Sequence, residues 1–476
     1  MKQTQANNLR SPGAVLLISC YELGHQPMGV AMPLGFLERA GFPAAAIDVS
    51  VEPSDAEKVS RARFIGIAVP MHTALRLGVY VVKRIRKLNP DAIICLYGLY
   101  AGLNADYLLD NGADFCIAGE YESPLLALVE MADKHGSSIS TKELRLPDGV
   151  IGHGVKARPF LNRLSFSPPS RAPLPALNSY ARLSHRGEHR LVGYVEGSRG
   201  CKHSCTHCPI PPVYDGRFFV VPQEIVLEDV RRQVQAGATH ITFGDPDFLN
   251  GPTHSLRLVR AMHAEFPSLT FDFTTKVEHI IKHREMFPEF HQLGCLFTVS
   301  AVESLSDHVL QILEKNHTRR DVEEAIEIVR TADISLRPTW VAFTPWTSLS
   351  DYLDVFEFVS KHDLIDHVDP VQYAVRLLIP PGSHLLNRDA MKPHLGSLDQ
   401  SAFSYHWSHP DPRMDELHKT VSGLAERDSQ AGVDPCETFY SIWKLASSLQ
   451  GGAPPDHRAF PKDSERAPRL TEPWFC

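Results

Sequence analysis

Three cysteines define the chemistry open to this sequence. Cys201, Cys205 and Cys208 stand in Gly-Ser-Arg-Gly-Cys-Lys-His-Ser-Cys-Thr-His-Cys-Pro, a C-x3-C-x2-C spacing that brings three thiolates from one short loop onto a single ion or cluster. No fourth cysteine lies nearby. A structural zinc site closes with four protein ligands, so His203 or His207 would have to complete it, whereas a [4Fe–4S] cluster with one iron left open needs no further residue. Of the nine cysteines, Cys20, Cys95 and Cys116 lie in or beside apolar runs and read as small core residues. Cys295 precedes another apolar run, and Cys436 and Cys476 stand in weakly apolar surroundings near the end of the chain. An odd number of cysteines spread over 476 residues is not the framework of a small secreted domain.

The elements that must position the triad follow from hydrophobic patterning. Between residues 14 and 150 five apolar runs, Ala14–Ser19, Ala44–Val49, Phe64–Val69, Ala92–Tyr97 and Asp114–Ala118, alternate with helical stretches. Leu75, Val79, Val82, Ile85 and Leu88 recur at helical spacing between the third and fourth. Continuous apolar strands between amphipathic helices predict a parallel sheet covered on both faces, a Rossmann-like domain over 1–150. Function in such a fold gathers at strand C-termini, here Pro70–Thr73, Gly98–Gly102 and Gly119–Glu122. Residues 151–190 are rich in proline, serine and arginine and read as a linker. From 191 to 395 a second β/α series predicts strands at Leu191–Val195, His240–Gly244, Leu269–Phe273, Leu296–Ser300, Thr339–Phe343 and Val371–Ile379. Six strands in one direction with outer helices predict a partial TIM barrel. The cysteine loop follows its first strand and therefore opens at the functional mouth. A mainly helical extension and tail fills 396–476.

With these residues in place the sequence resembles the radical S-adenosylmethionine (SAM) superfamily, in the group with an N-terminal cobalamin-binding-like domain. The triad matches the superfamily's cluster cysteines. Gly244-Asp-Pro-Asp247 occupies the place of the second-strand motif that receives the SAM amino group. Ala301-Val-Glu-Ser304 with Leu313-Glu-Lys-Asn-His-Thr318 looks like the fourth-strand motif whose glutamate reaches SAM, and Pro380-Pro-Gly-Ser383 looks like the sixth-strand turn. The resemblance implies a [4Fe–4S] cluster on Cys201, Cys205 and Cys208, and SAM held by Gly244, Asp245, Asp247 and Glu303. Carboxylates suit the SAM ammonium and ribose donors. His207 stands where the superfamily commonly has an aromatic residue.

The N-terminal domain departs from its relatives. It lacks the D-x-H-x-x-G motif that fixes cobalamin through histidine, and Leu99 and Tyr100 add bulk where the nucleotide tail would pass. His72 is the nearest candidate lower ligand. Weak or no cobalamin binding is the resulting expectation. The terminus Arg469-Leu-Thr-Glu-Pro-Trp-Phe-Cys476 resembles radical SAM proteins with C-U/C-A-E-P tails, with Leu470 and Thr471 where those tails carry cysteine or selenocysteine. A related branch, the arsinothricin-biosynthesis type, transfers the 3-amino-3-carboxypropyl group of SAM to trivalent arsenic. That resemblance makes Cys476 and Cys436 the expected catalytic thiols, because soft thiolates hold thiophilic elements.

The expected activity is therefore aminocarboxypropyl transfer to arsenic. The alternatives are cobalamin-dependent C- or P-methyl transfer in secondary metabolism and, from another class, a non-catalytic zinc- or cobalamin-binding protein. The partners expected are a small-molecule substrate and an electron donor such as flavodoxin or ferredoxin. A formal charge of −8 argues against nucleic acid as a default partner, and no apolar run reaches the ~18 residues of a membrane helix, so a cytoplasmic location is expected.

Overall fold

Five short apolar segments too hydrophobic to leave a face in water build the first sheet of the computed structural model, which describes residues 8–136, 145–451 and 466–472. They are β1 (Val15–Ser19), β2 (Ala45–Asp48), β3 (Phe64–Ala68), β4 (Ile93–Tyr97) and β5 (Phe115–Ile117). With β6 (Val150–Gly152) the order is β2-β1-β3-β4-β5-β6, parallel except for the last pair. The helix His72–Leu88 buries Leu75, Val79, Val82 and Ile85 as its spacing predicts, while Leu88, in the last turn, is exposed. The five predicted strands of this domain are all present.

The second sheet starts inside the stretch read as linker: β7 (Arg182–His185) forms a hairpin with β8 (Glu188–Val195). A two-stranded ribbon of β9 (Ser198–Gly200) and β10 (Phe218–Val220) follows. The sheet continues through β11 (His240–Phe243), β12 (Thr270–Thr275), β13 (Cys295–Glu303) and β14 (Ser335–Trp340), each parallel to its neighbour. The fifth predicted barrel strand thus lies earlier than expected, at Ser335 rather than Thr339. The sixth, Val371–Ile379, is not a regular strand. Asp369-Pro370 starts a 3-10 turn over Pro370–Ala374, and only an isolated bridge joins Phe343 to Arg376. Proline lacks the N–H a ladder requires.

What completes the partial barrel comes from elsewhere. The hairpin of β15 (Leu395–Asp399) and β16 (Ser404–Trp407) sends Phe403 into the N-terminal core, where its ring meets Tyr107 edge-on at 5.1 Å. Helices Pro412–Ala431 and Pro435–Leu449 follow, and β17 (Arg469–Leu470) adds to the free edge of β7. The same tail segment reaches β14 at the opposite edge, where Arg337 donates to the Pro468 carbonyl at 3.4 Å. No helix among the described residues is long and apolar enough to cross a membrane.

The two α/β units meet at Arg199, 5% exposed on β9. Its guanidinium contacts Glu120 at 3.1 Å, Glu122 at 2.5 Å and Glu196 at 2.8 Å. Burial pushes the Glu122 carboxyl up to about 7 despite Arg199, and the guanidinium stays charged because Glu122 and Glu196 outweigh its own burial. Removing one partner of such a group leaves buried charge without compensation. Arg199→Ala is expected to destabilise the protein by about 3–5 kcal/mol, measured by urea unfolding against wild type; a loss within the error of the measurement would show that the cluster is dispensable.

Candidate active site

The cysteine loop is an excursion closed at its base by the β9–β10 ribbon, in which Gly200 pairs with Phe218. Gly200 has φ +72°, and a Cβ there would lie 2.3 Å from the Arg217 carbonyl, so only glycine lets the two arms close. Beyond its base the loop is pinned from three sides. Asn250 directs its amide at Cys201 Sγ (3.6 Å), and Lys202 Nζ donates to the Asn250 carbonyl (2.7 Å). Thr206 bonds Leu313 and Ile312 through its amide and hydroxyl, and Ser383 of the Pro-Pro-Gly-Ser turn donates to the Thr206 carbonyl at 3.4 Å. Burial raises the Cys201 thiol and pushes that of Cys208 up to about 12, with the neighbouring cysteines adding to both shifts. Against them stands Lys315, itself buried, whose charge is kept by Glu303, Cys205 and Cys208 despite desolvation.

Glu303 ends β13 at a register shift against β14, in a left-handed conformation with φ +68°. A non-glycine residue there is strained, and the bulge turns the side chain toward the cysteine loop. His207 Nε2 lies 3.2 Å and Lys315 Nζ 3.3 Å from Glu303 Oε1. Burial alone would raise this carboxyl, but Lys315 and His207 hold it down to about 2. Thus the residue before the third cysteine pairs with a carboxylate instead of offering an aromatic face.

The β11 motif divides its work. Asp245 accepts from the Gly197 amide at 2.8 Å and from the Ser198 hydroxyl, so both oxygens fasten the chain entering the cysteine loop. Burial lifts its carboxyl to about 7 against those bonds. Gly244 is required by Tyr194, whose hydroxyl would lie 2.1 Å from an added Cβ. Asp247 points the other way. Oδ1 accepts from Thr275 and the Leu249 amide, while His203 Nε2 and His279 Nδ1 approach Oδ2 at 3.3 and 2.8 Å. Burial raises this carboxyl, yet His203, His279 and Thr275 overcome it and keep the group well below the carboxylate range. Lys276 Nζ lies 3.2 Å from His203 Nδ1, and an ammonium there fixes the ring proton on Nε2, facing Asp247. His203 in turn belongs to the cysteine loop, so this chain ties the loop to β11 and β12.

The structure therefore brings Cys201, Cys205, Cys208, Gly244, Asp245, Asp247 and Glu303 to one end of the barrel. Cys436 does not join them: it is the second residue of the last long helix, whose N-terminus Asp434 caps, and it is buried, with its thiol pushed up to about 12 by burial and by Asp434. Cys476 lies outside the described residues. Lys315 stood in the fourth-strand motif without an assigned role. His203 stood out in sequence only as a possible zinc ligand, and Lys276, His279 and Asn250 carry no local signal that separates them from ordinary polar residues.

At the other side of the loop, the helix Ile210–Tyr214 borders a cleft of about 860 Å³ that runs along Gly149 and, in the segment after β6, Lys156 and Phe160. A second, of about 380 Å³, continues past the shared Lys156 and Ala157 to Gly102, Asn104 and Phe403. His72 faces neither; its Nε2 lies 2.7 Å from the Ala402 carbonyl.

This geometry coincides with two family matches. Residues 195–344 match the Radical SAM superfamily and residues 14–129 the B12 binding domain. The chain thus joins a radical SAM domain to an N-terminal B12-binding domain. Among curated proteins it resembles the hopanoid C-3 methylase of Methylococcus capsulatus, 23% identical over 331 residues that cover 67% of this chain and 62% of that protein. It also resembles the ribosomal protein uS12 methylthiotransferase RimO of Porphyromonas gingivalis, 26% identical over 36% of this chain and 41% of the relative. The chain therefore spans less than two thirds of the length of either. Two solved structures share the fold. The cobalamin-dependent SAM radical enzyme OxsB, with aqua-cobalamin and SAM bound, has a TM-score of 0.68 at 15% identity over 93% of this chain and 72% of its own. The radical SAM methyltransferase TsrM from Kitasatospora setae, with cobalamin and [4Fe–4S] cluster bound, has 0.58 at 15% identity over 74% and 70%.

Asp247→Asn removes the charge that both histidines face and leaves an amide N–H2 directed at a ring N–H. A loss of about 1–3 kcal/mol is expected, read as a lowered melting temperature with a loosened cysteine loop; unchanged melting and unchanged protease resistance of the loop would contradict the role assigned to Asp247.

Proposed function

We propose that the chain is a cobalamin-assisted radical SAM transferase that moves the methyl group of SAM to a small molecule. The observation that carries this reading is the pair of adjoining clefts that run from the helix directly following Cys208, past Lys156 and Ala157, to Gly102 and Asn104 of the B12-binding domain. The triad fits a [4Fe–4S] cluster. Three soft donors come from one loop with a lysine beside them, and among the described residues their sulfurs do not all lie within 4.8 Å of one another as the ligand atoms of His203, Asp247 and His279 do, a spread wider than one ion's ligands. Cys201, Cys205 and Cys208 would hold the cluster. The cleft suits a large cofactor that Lys156, Phe160 and the helix Ile210–Tyr214 would hold; His384 stands in its lining, while His72 is engaged elsewhere.

The expectation of weak or no cobalamin binding is thereby revised. Tyr100 is buried in the N-terminal core instead of standing in the cleft, so the bulk inferred from sequence is absorbed by packing. The cluster and cobalamin when bound supply one-electron and methyl-carrying chemistry. The remaining work belongs to this chain. Glu303, ionised and held by Lys315 and His207, accepts from SAM hydroxyls, and Asp245 shapes the loop entrance. The barrel walls keep water from the reacting centre.

Aminocarboxypropyl transfer to arsenic has no comparable support. Cys436 is buried away from the barrel end, and the relatives named above include methyl-transferring enzymes. The two reactions leave different products: methyl transfer leaves S-adenosylhomocysteine, and aminocarboxypropyl transfer leaves 5′-methylthioadenosine. Anaerobic incubation of the reconstituted protein with SAM, a reductant and cobalamin is expected to yield S-adenosylhomocysteine and near-stoichiometric retained cobalamin. Formation of 5′-methylthioadenosine with arsenite, without bound cobalamin, would reverse the assignment.

Each single cysteine-to-alanine variant of the triad is expected to lose the visible cluster absorption and SAM cleavage together. Cluster spectra that survive in all three would place the metal elsewhere.

A further inference from the structure

A cavity of about 140 Å³ lies in the middle of the barrel, below the cysteine loop. Its walls include Thr242, Asp272, Thr274 and Val299, and Leu23 of the N-terminal unit and Leu470 of the tail help close it. A water occupies about 10–15 Å³ of such volume, so the space suits a ligand of on the order of ten heavy atoms.

Asp272 is the uncompensated group in this cavity. It is 2% exposed. Thr242 Oγ1 (2.6 Å) and His240 Nε2 (2.8 Å) both donate to the same oxygen, Oδ1. Thr270 faces His240 Nδ1 at 2.8 Å, and burial lowers the pKa of this imidazole against the opposing pull of Asp272, so that a neutral donor is favoured over a counter-charge. No hydrogen bond from a described residue reaches Asp272 Oδ2. The polar atoms of the other ionisable groups around the cavity are already engaged or uncharged. Arg337 pairs with Asp369 at 3.0 Å, and both oxygens of Asp245 are taken by Ser198 and Gly197. His25 and His367 are neutral, each brought down to about 4 with burial the leading cause.

A carboxylate taken out of water with only neutral donors has lost solvation that a cation at its free oxygen would restore. We propose that Asp272 is the anchor for a ligand ammonium, and that the substrate of this enzyme is a small amine-bearing molecule seated in the barrel cavity. The inference rests on the transferase reading for the word substrate, but the cavity's preference for an ammonium does not. The same chemistry is offered by SAM, whose own ammonium is the rival source.

The test uses the reconstituted full chain and three matched probes, n-propylamine, propan-1-ol and propionate, with binding followed by saturation-transfer NMR. The amine is expected to bind and the other two not. Asp272→Asn, which keeps an oxygen for Thr242 and His240, is expected to weaken amine binding about tenfold or more. Thr242→Val, which keeps the charge, should retain it. SAM affinity, measured by equilibrium dialysis, should be the same in wild type and Asp272→Asn. Equal binding of alcohol and amine to wild type, or no binding of any probe, overturns the proposal without needing a folded variant. Loss of SAM affinity in Asp272→Asn also overturns it, by assigning the carboxylate to SAM. Amine binding that persists in a protein producing no S-adenosylhomocysteine would leave the cavity's assignment standing and count against methyl transfer alone.

Discussion

The buried guanidinium of Arg199 is the interaction on which the rest of the arrangement depends. It stands two residues before Cys201, on the strand that closes the cysteine loop, and its partners in the other unit are Glu120, in the turn after β5, and Glu122, which opens the helix Glu122–His135. A single cation thus fixes both the base of the loop and the docking of the B12-binding domain against it. The geometry also explains why the carboxylates tolerate burial. Glu120 accepts from Tyr214 on the helix bordering the cleft as well as from Arg199, so one network reaches the loop, the cleft and the sheet.

Around that fixed point the cysteine loop is held by charge as much as by packing. Lys315 lies beside Cys205, Cys208 and Glu303, while Lys276 approaches His203 from the opposite side. Thiolates gathered on one loop repel each other, and a buried lysine offsets that repulsion in a region where solvent screening is weak. The strained backbone of Glu303 is part of the same solution. The bulge that strains it also carries its carboxylate to Lys315 and His207.

The barrel is closed by an unexpected element. Where a sixth strand was anticipated, the chain makes a 3-10 turn and an isolated bridge. The tail strand β17 instead extends the sheet from β7, and its flanking residues reach Asp366 and Arg337 on the far side. Leu470 consequently lines the central cavity, and Glu472 accepts from Tyr21 of the first domain at 2.8 Å. The tail resemblance makes Cys476 an expected catalytic thiol, and that residue lies outside the described residues. The described contact is made by backbone pairing and ion pairs several residues earlier.

The sequence by itself determined the five strands of the first sheet and four strands of the second, because buried parallel strands must be apolar throughout and their runs are unmistakable. It also determined the cysteine triad, Glu303 and the Asp245–Asp247 segment, since ligand spacing within a loop and position after a strand are local properties. Tertiary structure decided what those residues do. Both oxygens of Asp245 are consumed within the protein, Tyr100 packs into the core, and Cys436 is buried at a helix start. None of this is encoded in local spacing. Lys315, Lys276 and Asp272 gain meaning only when strands distant in sequence place them beside thiols, a histidine and an empty volume. Charge compensation depends on distance and burial, and both are set by the fold.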